Sequence, residues 1–158
     1  MNTTAPLVSV VVPTYNRGGV LIATLRYLAQ QNHPRFEIIV VDQTSAHEPK
    51  TTIQLNALIQ AGAIRYFHLD QPSLPNARNF GTQQARGELV LFVDDDIIPG
   101  PNLIAAHAAA YNAPDIGGVA GRRTFTVEPM PPEPSTPVGV IARNSTHVSN
   151  FSATAPQH

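Results

Sequence analysis

Residues 89–96 read LVLFVDDD, an uninterrupted apolar run that ends at three consecutive aspartates. A short continuous apolar run is typical of a strand that is buried on both faces of a parallel sheet. Comparable runs lie at residues 7–12, 36–41, 63–69 and 116–125, and helical patterns separate them. This alternation, with roughly 25–30 residues per strand–helix unit, predicts the α/β class: an open, mostly parallel sheet flanked by helices.

Four helices are expected between the strands. The first carries Leu21, Leu25 and Leu28 on one face, and Asn16 just upstream is its candidate N-cap. The later helices are marked by Leu55, Leu58 and Ile59 before Gly62, by residues 76–86 before Gly87, and by residues 103–111 after Pro101. In such a sheet the carboxyl ends of the parallel strands form one edge, where ligands bind.

The chain is expected to fall into two parts. Residues 1–127 carry the strand–helix pattern and are assigned to a nucleotide-binding region. Residues 128–158 begin with five prolines in ten positions, which predicts a proline-rich loop followed by an irregular tail.

Composition narrows the class of protein. A formal net charge of −1 provides no basic excess to neutralise a phosphate backbone, so no nucleic-acid partner is expected. No run of about 18 apolar residues is present, so no transmembrane segment is expected in this chain. The start lacks the pattern of a secretory signal and cysteine is absent. These features favour a cytoplasmic location, with peripheral attachment to the inner face of the cell membrane left open.

The three aspartates at residues 94–96 are the first candidate site. Adjacent carboxylates repel one another, and a bound cation relieves that repulsion. Carboxylate oxygens suit Mg²⁺ or Mn²⁺, and a metal with few protein ligands keeps coordination positions for phosphate oxygens. The sequence therefore indicates a metal site here, and an acidic loop that caps the following helix is the alternative.

Polar residues at other strand ends extend this candidate site. Tyr15 follows the first run and could stack on a base, while Asp42 follows the second and could accept a hydrogen bond from a base or ribose. Arg78, near a helix start, suits a pyrophosphate. The structural alternatives are a strand-to-helix turn for Tyr15, a turn cap for Asp42 and a solvated surface position for Arg78.

Four segments, in order, resemble the family-2 glycosyltransferases with a GT-A fold. They are VSVVVPTYNR at 8–17, FEIIVVD at 36–42, NARNFG at 76–81 and GELVLFVDDD at 87–96. The resemblance covers residues 7–125. It implies transfer of a sugar, with inversion, from a nucleoside diphosphate donor that is often UDP-linked, with Mn²⁺ or Mg²⁺ as cofactor. Family members build cell envelope polysaccharides, glycolipids and glycoproteins, so the acceptor is a saccharide, a lipid or a protein.

The resemblance also implies roles for individual residues. Nucleotide-sugar binding is expected from Pro13, Thr14, Tyr15, Asn16, Asp42, Arg78, Asp94 and Asp95. Within that set, Arg78 would lie near the base or pyrophosphate, and Asp94 would face the ribose. Asp96 would hold the metal that bridges to the diphosphate, with Asp94 as a second candidate ligand. Asp95 occupies the variable middle position of the family's Asp-x-Asp motif.

Two departures from the family pattern bear on function. Gln43 stands where many members have a second acid, which weakens the expectation for the donor base. The later acids, Asp115, Glu128 and Glu133, lie in no recognisable general-base motif. The general base is therefore expected outside this chain, which looks truncated before the acceptor half. The alternatives are a non-catalytic nucleotide-binding module and another metal-dependent nucleotidyltransferase, although the latter usually carries a glycine-rich phosphate loop that is absent here.

Overall fold

The structure is a computed structural model that describes residues 5–112, 115–122 and 139–142. It divides into two compact units, one up to Ala105 and one from Ala106. The elements in chain order are β1 (Val8–Thr14), α1 (Gly18–Leu28), β2 (Phe36–Asp42), α2 (Pro49–Gln60), β3 (Arg65–His68), α3 (Leu74–Gln84), β4 (Leu89–Phe92), α4 (Leu103–Ala110), β5 (Ile116–Ala120) and β6 (Gly139–Ala142).

The first unit contains a four-stranded parallel sheet with the order β3-β2-β1-β4. Val10 in β1 is paired with Ile38 in β2 on one side and with Leu91 in β4 on the other. Every residue of β1 is buried, as its continuous apolar run predicts for a central strand. The expectation of an open parallel sheet flanked by helices is confirmed.

Helix α3 packs closely on the sheet. Ala77 joins Val11, Ile39 and Val41 in a fully buried cluster. At Gly81 a Cβ atom would lie 2.3 Å from Cγ1 of Val11, so only glycine allows this close approach. The helix that carries Arg78 is therefore held tightly against β1 and β2.

Some helix boundaries differ from those expected. Helix α3 begins at Leu74, because Ser73 caps it by accepting a hydrogen bond from the Asn76 N–H at 3.4 Å. It ends at Gln84 rather than at Gly87, because Ala85 is already extended. The prediction that Asn16 caps α1 is wrong: the N-cap is Arg17, without a side-chain cap bond.

The second unit contains a separate sheet of two antiparallel strands, β5 and β6. The expectation that the run at 116–125 belongs to the parallel sheet is wrong for its described residues. Residues 117 and 118 are both glycine and no residue of β5 is fully buried, which suits a two-stranded ribbon rather than a central strand of a parallel sheet. The proline-rich segment, the boundary between residues 127 and 128, Glu128 and Glu133 lie outside the described residues.

Among the helices of the described ranges, none has the length and apolar character that crossing a bilayer requires.

Candidate functional site

The sheet order brings three polar strand ends together in the first unit. Thr14 at the end of β1 is paired with Asp42 at the end of β2. On the other side of β1, the Val93 N–H donates to the Val11 carbonyl at 3.0 Å and extends the pairing beyond β4. Residues 94–96, called here the acidic loop, therefore follow directly beside the β1 end.

Asp95, the middle acid, points into the protein. Its side chain is buried, and Oδ2 accepts a 2.6 Å hydrogen bond from the Thr14 hydroxyl. Burial raises the pKa of Asp95, while the Thr14 hydrogen bond and the nearby Arg17 charge act in the opposite direction. The Thr24 hydroxyl in α1 also lies 2.8 Å from the Asp95 carbonyl oxygen. Asp95 and its backbone thus fix the loop to β1 and α1.

Asp94 and Asp96 are the accessible acids of the loop. Their side chains are 39% and 44% exposed. Arg17 Nη1 lies 2.5 Å from Oδ2 of Asp96, and Arg78 Nη2 lies 3.3 Å from Oδ1 of Asp94. Each outward acid therefore faces a guanidinium that comes from a different element of the fold.

The chemistry of these acids can be compared with the needs of a divalent cation. No group of three or more His, Cys, Asp or Glu side chains is arranged around a common metal position within the described ranges. Asp94 and Asp96 supply hard carboxylate oxygens that are open to solvent. A donor set of one or two carboxylates fits Mg²⁺ or Mn²⁺ when phosphate oxygens and water complete the coordination shell. The residues present fit such an ion.

Arg78 projects from α3 toward the acidic loop. Its guanidinium carbon lies 5.8 Å from the centroid of the Phe92 ring, within the range of a cation–π contact. Its Nε atom is buried and has no hydrogen-bond partner among the residues that the structure describes. The side chain is thus held by Phe92 and Asp94 while one donor of the guanidinium is unused.

The turn after β1 separates the predicted binding residues into two groups. Pro13 and Thr14 are buried in the strand. Tyr15 is 49% exposed and is the side chain of this turn that can stack on a planar ligand. Asn16 adopts a left-handed backbone with φ of 56°, and its N–H donates to the Thr44 hydroxyl at 2.8 Å.

Asp42 is fully buried, with 0% of its surface exposed. Its Oδ2 accepts hydrogen bonds from His47 Nε2 at 2.5 Å and from the Tyr66 hydroxyl at 3.0 Å, while Oδ1 accepts from the Thr44 N–H at 2.8 Å. Burial, followed by the nearby Asp42 carboxylate, raises the pKa of Tyr66. In this arrangement a ligand reaches Asp42 only if one of its protein partners moves away.

Gln43 also has a structural role. Its side chain is buried, and Nε2 donates to the Gln71 carbonyl oxygen at 2.6 Å. It therefore fastens the end of β2 to the loop that precedes α3.

Sequence reasoning missed three functional candidates. Arg17 lies inside the quoted VSVVVPTYNR segment but is not among the expected site residues, although an arginine beside a turn is a natural partner for nearby acids. His47 and Tyr66 gave no detectable signal, because their link to Asp42 depends on a loop conformation and on the alignment of β3 with β2.

Comparison with known proteins identifies the family of this chain. The family model described as "Glycosyl transferase family 2" matches residues 9–136, and the chain belongs to that family. One curated relative is the GalNAc(5)-diNAcBac-PP-undecaprenol beta-1,3-glucosyltransferase of Campylobacter jejuni, which is 38% identical over 93 residues. The match covers 58% of this chain and 30% of that relative.

Two solved structures share the fold. The mannosyltransferase PcManGT from Pyrobaculum calidifontis, in complex with GDP-Man and Mn²⁺, has a TM-score of 0.64 at 24% identity and matches 78% of this chain and 37% of its own. S. aureus TarS 1–349, in complex with UDP-GlcNAc, has a TM-score of 0.54 at 31% identity and matches 65% of this chain and 30% of its own. The chain spans less than a third of the length of the first curated relatives that it matches.

Proposed function

We propose that this chain provides the donor-binding part of an inverting glycosyltransferase that uses a UDP-linked sugar and a divalent cation, Mn²⁺ or Mg²⁺. The observation that carries the proposal is the convergence of Asp94, Asp96, Arg17 and Arg78 beside the end of β1. Two accessible carboxylates and two guanidinium groups at one strand edge suit a diphosphate and its counter-ion. The relation to TarS, whose structure contains UDP-GlcNAc, supports uridine as the base.

In this proposal Asp96 is the principal metal ligand and Asp94 the second. When bound, the cation supplies Lewis-acid stabilisation of the negative charge that develops on the leaving diphosphate. Arg78 contributes a positive charge beside Asp94, and its buried Nε, which has no partner among the described residues, can donate a hydrogen bond to the bound donor once the side chain shifts. Asp95 keeps the loop in place through its buried bond to Thr14.

The base and ribose are proposed to lie against the turn after β1. Tyr15 offers an exposed ring for stacking, and Pro13, Thr14 and Asn16 shape the turn. Asp42 is proposed to act from behind this surface, where it holds Thr44, which in turn holds Asn16.

The remaining parts of the proposal concern the whole protein. We propose that residues 1–127 form the donor-binding region and that the acceptor is a saccharide, lipid or protein hydroxyl. No general base within this chain is assigned. Because the Campylobacter relative is named for a substrate linked to undecaprenol, action at the inner face of the cell membrane is proposed as well.

Titration of UDP into the purified chain by calorimetry, with and without Mn²⁺, tests the donor site. We expect binding that depends on Mn²⁺. Asp96→Asn should lower UDP affinity in Mn²⁺ by about tenfold or more, since a metal ligand is lost. Glu88→Gln is the matched control: Glu88 is exposed and precedes β4, so it removes one carboxylate at the opposite end of that strand.

Two results would contradict the donor-site proposal. One is the absence of UDP binding by a chain whose circular dichroism and cooperative melting show that it is folded. The other is equal UDP affinity of the Asp96→Asn and Glu88→Gln variants in Mn²⁺. Inversion is tested separately, by comparing the anomeric configuration of donor and product by NMR, and retention of configuration would refute it.

A further inference from the structure

The guanidinium of Arg17 is a positive charge beside the acidic loop. Its Nη1 atom lies 2.5 Å from Oδ2 of Asp96 and 3.6 Å from Oδ1 of Asp95. The hydrogen bond to Asp96 is the largest cause of a raised pKa for the Arg17 guanidinium, followed by the charges of Asp95 and Asp96. This positive charge offsets part of the repulsion among the adjacent carboxylates.

The backbone of Arg17 is held firmly, while its side chain is not. The residue is the N-cap of α1, and its carbonyl accepts a 2.9 Å hydrogen bond from the Leu21 N–H. The preceding residue, Asn16, is fixed by its bond to Thr44. The Arg17 side chain, however, is 54% exposed. The guanidinium can therefore leave Asp96 by rotation of the side chain, without disturbing packed residues.

Asp96 cannot pair equally well with Arg17 and with a divalent cation at the same time, because two cations beside one carboxylate repel each other. We propose that Arg17 is a resident counter-cation of the acidic loop. It pairs with Asp96 in the absence of ligands and turns to the donor's diphosphate when the divalent cation and the donor bind. This inference rests on the proposed donor site.

The chemistry of the guanidinium explains the choice of its second partner. Its planar arrangement of N–H groups matches two phosphate oxygens as well as it matches a carboxylate. In the proposed site the diphosphate would lie beside Asp96, within reach of a guanidinium that has left that residue. The buried Asp95 carboxylate, 3.6 Å from Arg17 Nη1, is already engaged by the Thr14 hydroxyl. Arg17 thus keeps the empty loop balanced in charge and adds a contact to the bound donor.

Arg17→Gln separates this role from a purely structural one, because two affinities should move in opposite directions. Mn²⁺ binding in the absence of nucleotide, measured from the EPR signal of free Mn²⁺, should become about two- to fivefold tighter when the competing ion pair is lost. UDP binding at saturating Mn²⁺, measured by calorimetry, should become about tenfold weaker when a charged hydrogen bond is lost.

Two further variants serve as controls. Arg86→Gln removes an exposed arginine before β4, at the opposite end of that strand from the acidic loop, and should leave both affinities unchanged. Arg17→Lys keeps the charge without the planar fork, so Mn²⁺ affinity should stay near that of the natural sequence while UDP affinity falls by less than in Arg17→Gln. If Arg17→Gln does not melt cooperatively, Arg17→Lys provides the test.

The possible outcomes distinguish this inference from the proposed function. Mn²⁺ and UDP affinities that both fall in Arg17→Gln would overturn the inference and make Arg17 an organiser of the loop. Unchanged Mn²⁺ affinity would overturn it too, because no competition would exist. A folded natural chain that binds neither Mn²⁺ nor UDP would overturn the proposed function and this inference together.

Discussion

The Thr14 hydroxyl donates a 2.6 Å hydrogen bond to the carboxylate of Asp95, and both side chains are buried. The bond joins the end of the central strand to the acidic loop across 81 positions of sequence. It divides three adjacent acids into one that serves the fold and two that face solvent. The two accessible carboxylates therefore lie on a loop that the buried Asp95 anchors to β1.

Thr14→Val should destabilise the chain by about 1–3 kcal/mol, because it leaves the buried Asp95 carboxylate without its hydroxyl donor. Thr14→Ser keeps the hydroxyl, loses only a methyl group and is the matched control. The free energy of unfolding is measured by urea denaturation of both variants. Equal stability of the valine and serine variants would mean that the hydrogen bond does not contribute.

Tyr66→Phe tests how Asp42 is used. Removal of one donor to a buried carboxylate should lower the free energy of unfolding by about 1–2 kcal/mol. If Asp42 acts only through its protein partners, the UDP affinity of the variant in Mn²⁺ should stay within about twofold of that of the natural chain. A twofold change corresponds to about 0.4 kcal/mol of binding free energy. Calorimetry with UDP and GDP provides the measurement. A gain in UDP affinity over GDP would show that a released Asp42 contacts the base directly.

The parallel sheet was predictable because its signal is local. Strands β1 and β2 are buried along most of their length, so almost every position must be apolar and the run stands out in the sequence. The sequence around β5 does not indicate which strand it pairs with. None of its five residues is fully buried, two of them are glycine, and they pair with β6, which begins only at Gly139. A run of this kind fits either type of sheet.

The residue types of the candidate site were predictable, but the directions in which their side chains point were not. The family resemblance marks Asp95 as the variable middle position, but only the structure shows that its side chain points inward. Asn16 shows the same limit, since asparagine favours both helix N-caps and left-handed backbone, and here it takes the second. Arg17, the residue that follows this left-handed position, pairs with Asp96.

Glu37 should make stability depend on pH at the end of the sheet away from the acidic loop. Burial acts to raise the pKa of Glu37, but hydrogen bonds from Ser9, Arg65 and the Arg86 N–H outweigh it and lower the pKa. Since the folded pKa lies below the ordinary value of 4.5, the ionised group stabilises the fold above about pH 4.5. That contribution is lost as pH falls through the folded pKa.

Glu37→Gln provides the test of this pH dependence. The variant should be less stable than the natural chain by about 1–3 kcal/mol at pH 7, because hydrogen bonds to a charged group are weakened. The difference should shrink as the pH falls below 4.5 and through the lowered folded pKa of Glu37. Urea denaturation across this range measures it, and a difference that stays constant with pH would contradict the assignment. UDP binding at pH 7 should be unchanged, since Glu37 lies outside the proposed donor site.

Arg78→Gln should distinguish the diphosphate from the nucleoside as the partner of this side chain. Its guanidinium lies between Asp94 and the Phe92 ring, and its Nε donor has no partner among the described residues. Loss of a charged hydrogen bond to phosphate should weaken UDP binding in Mn²⁺ by about tenfold or more. Uridine, which lacks phosphate, should bind the variant and the natural chain alike. Arg78→Lys, which keeps the charge, should recover part of the UDP affinity.

Equal losses of affinity for UDP and uridine in Arg78→Gln would place Arg78 at the base pocket or in the fold of α3. Competition calorimetry with both ligands distinguishes this result from a contact with the diphosphate.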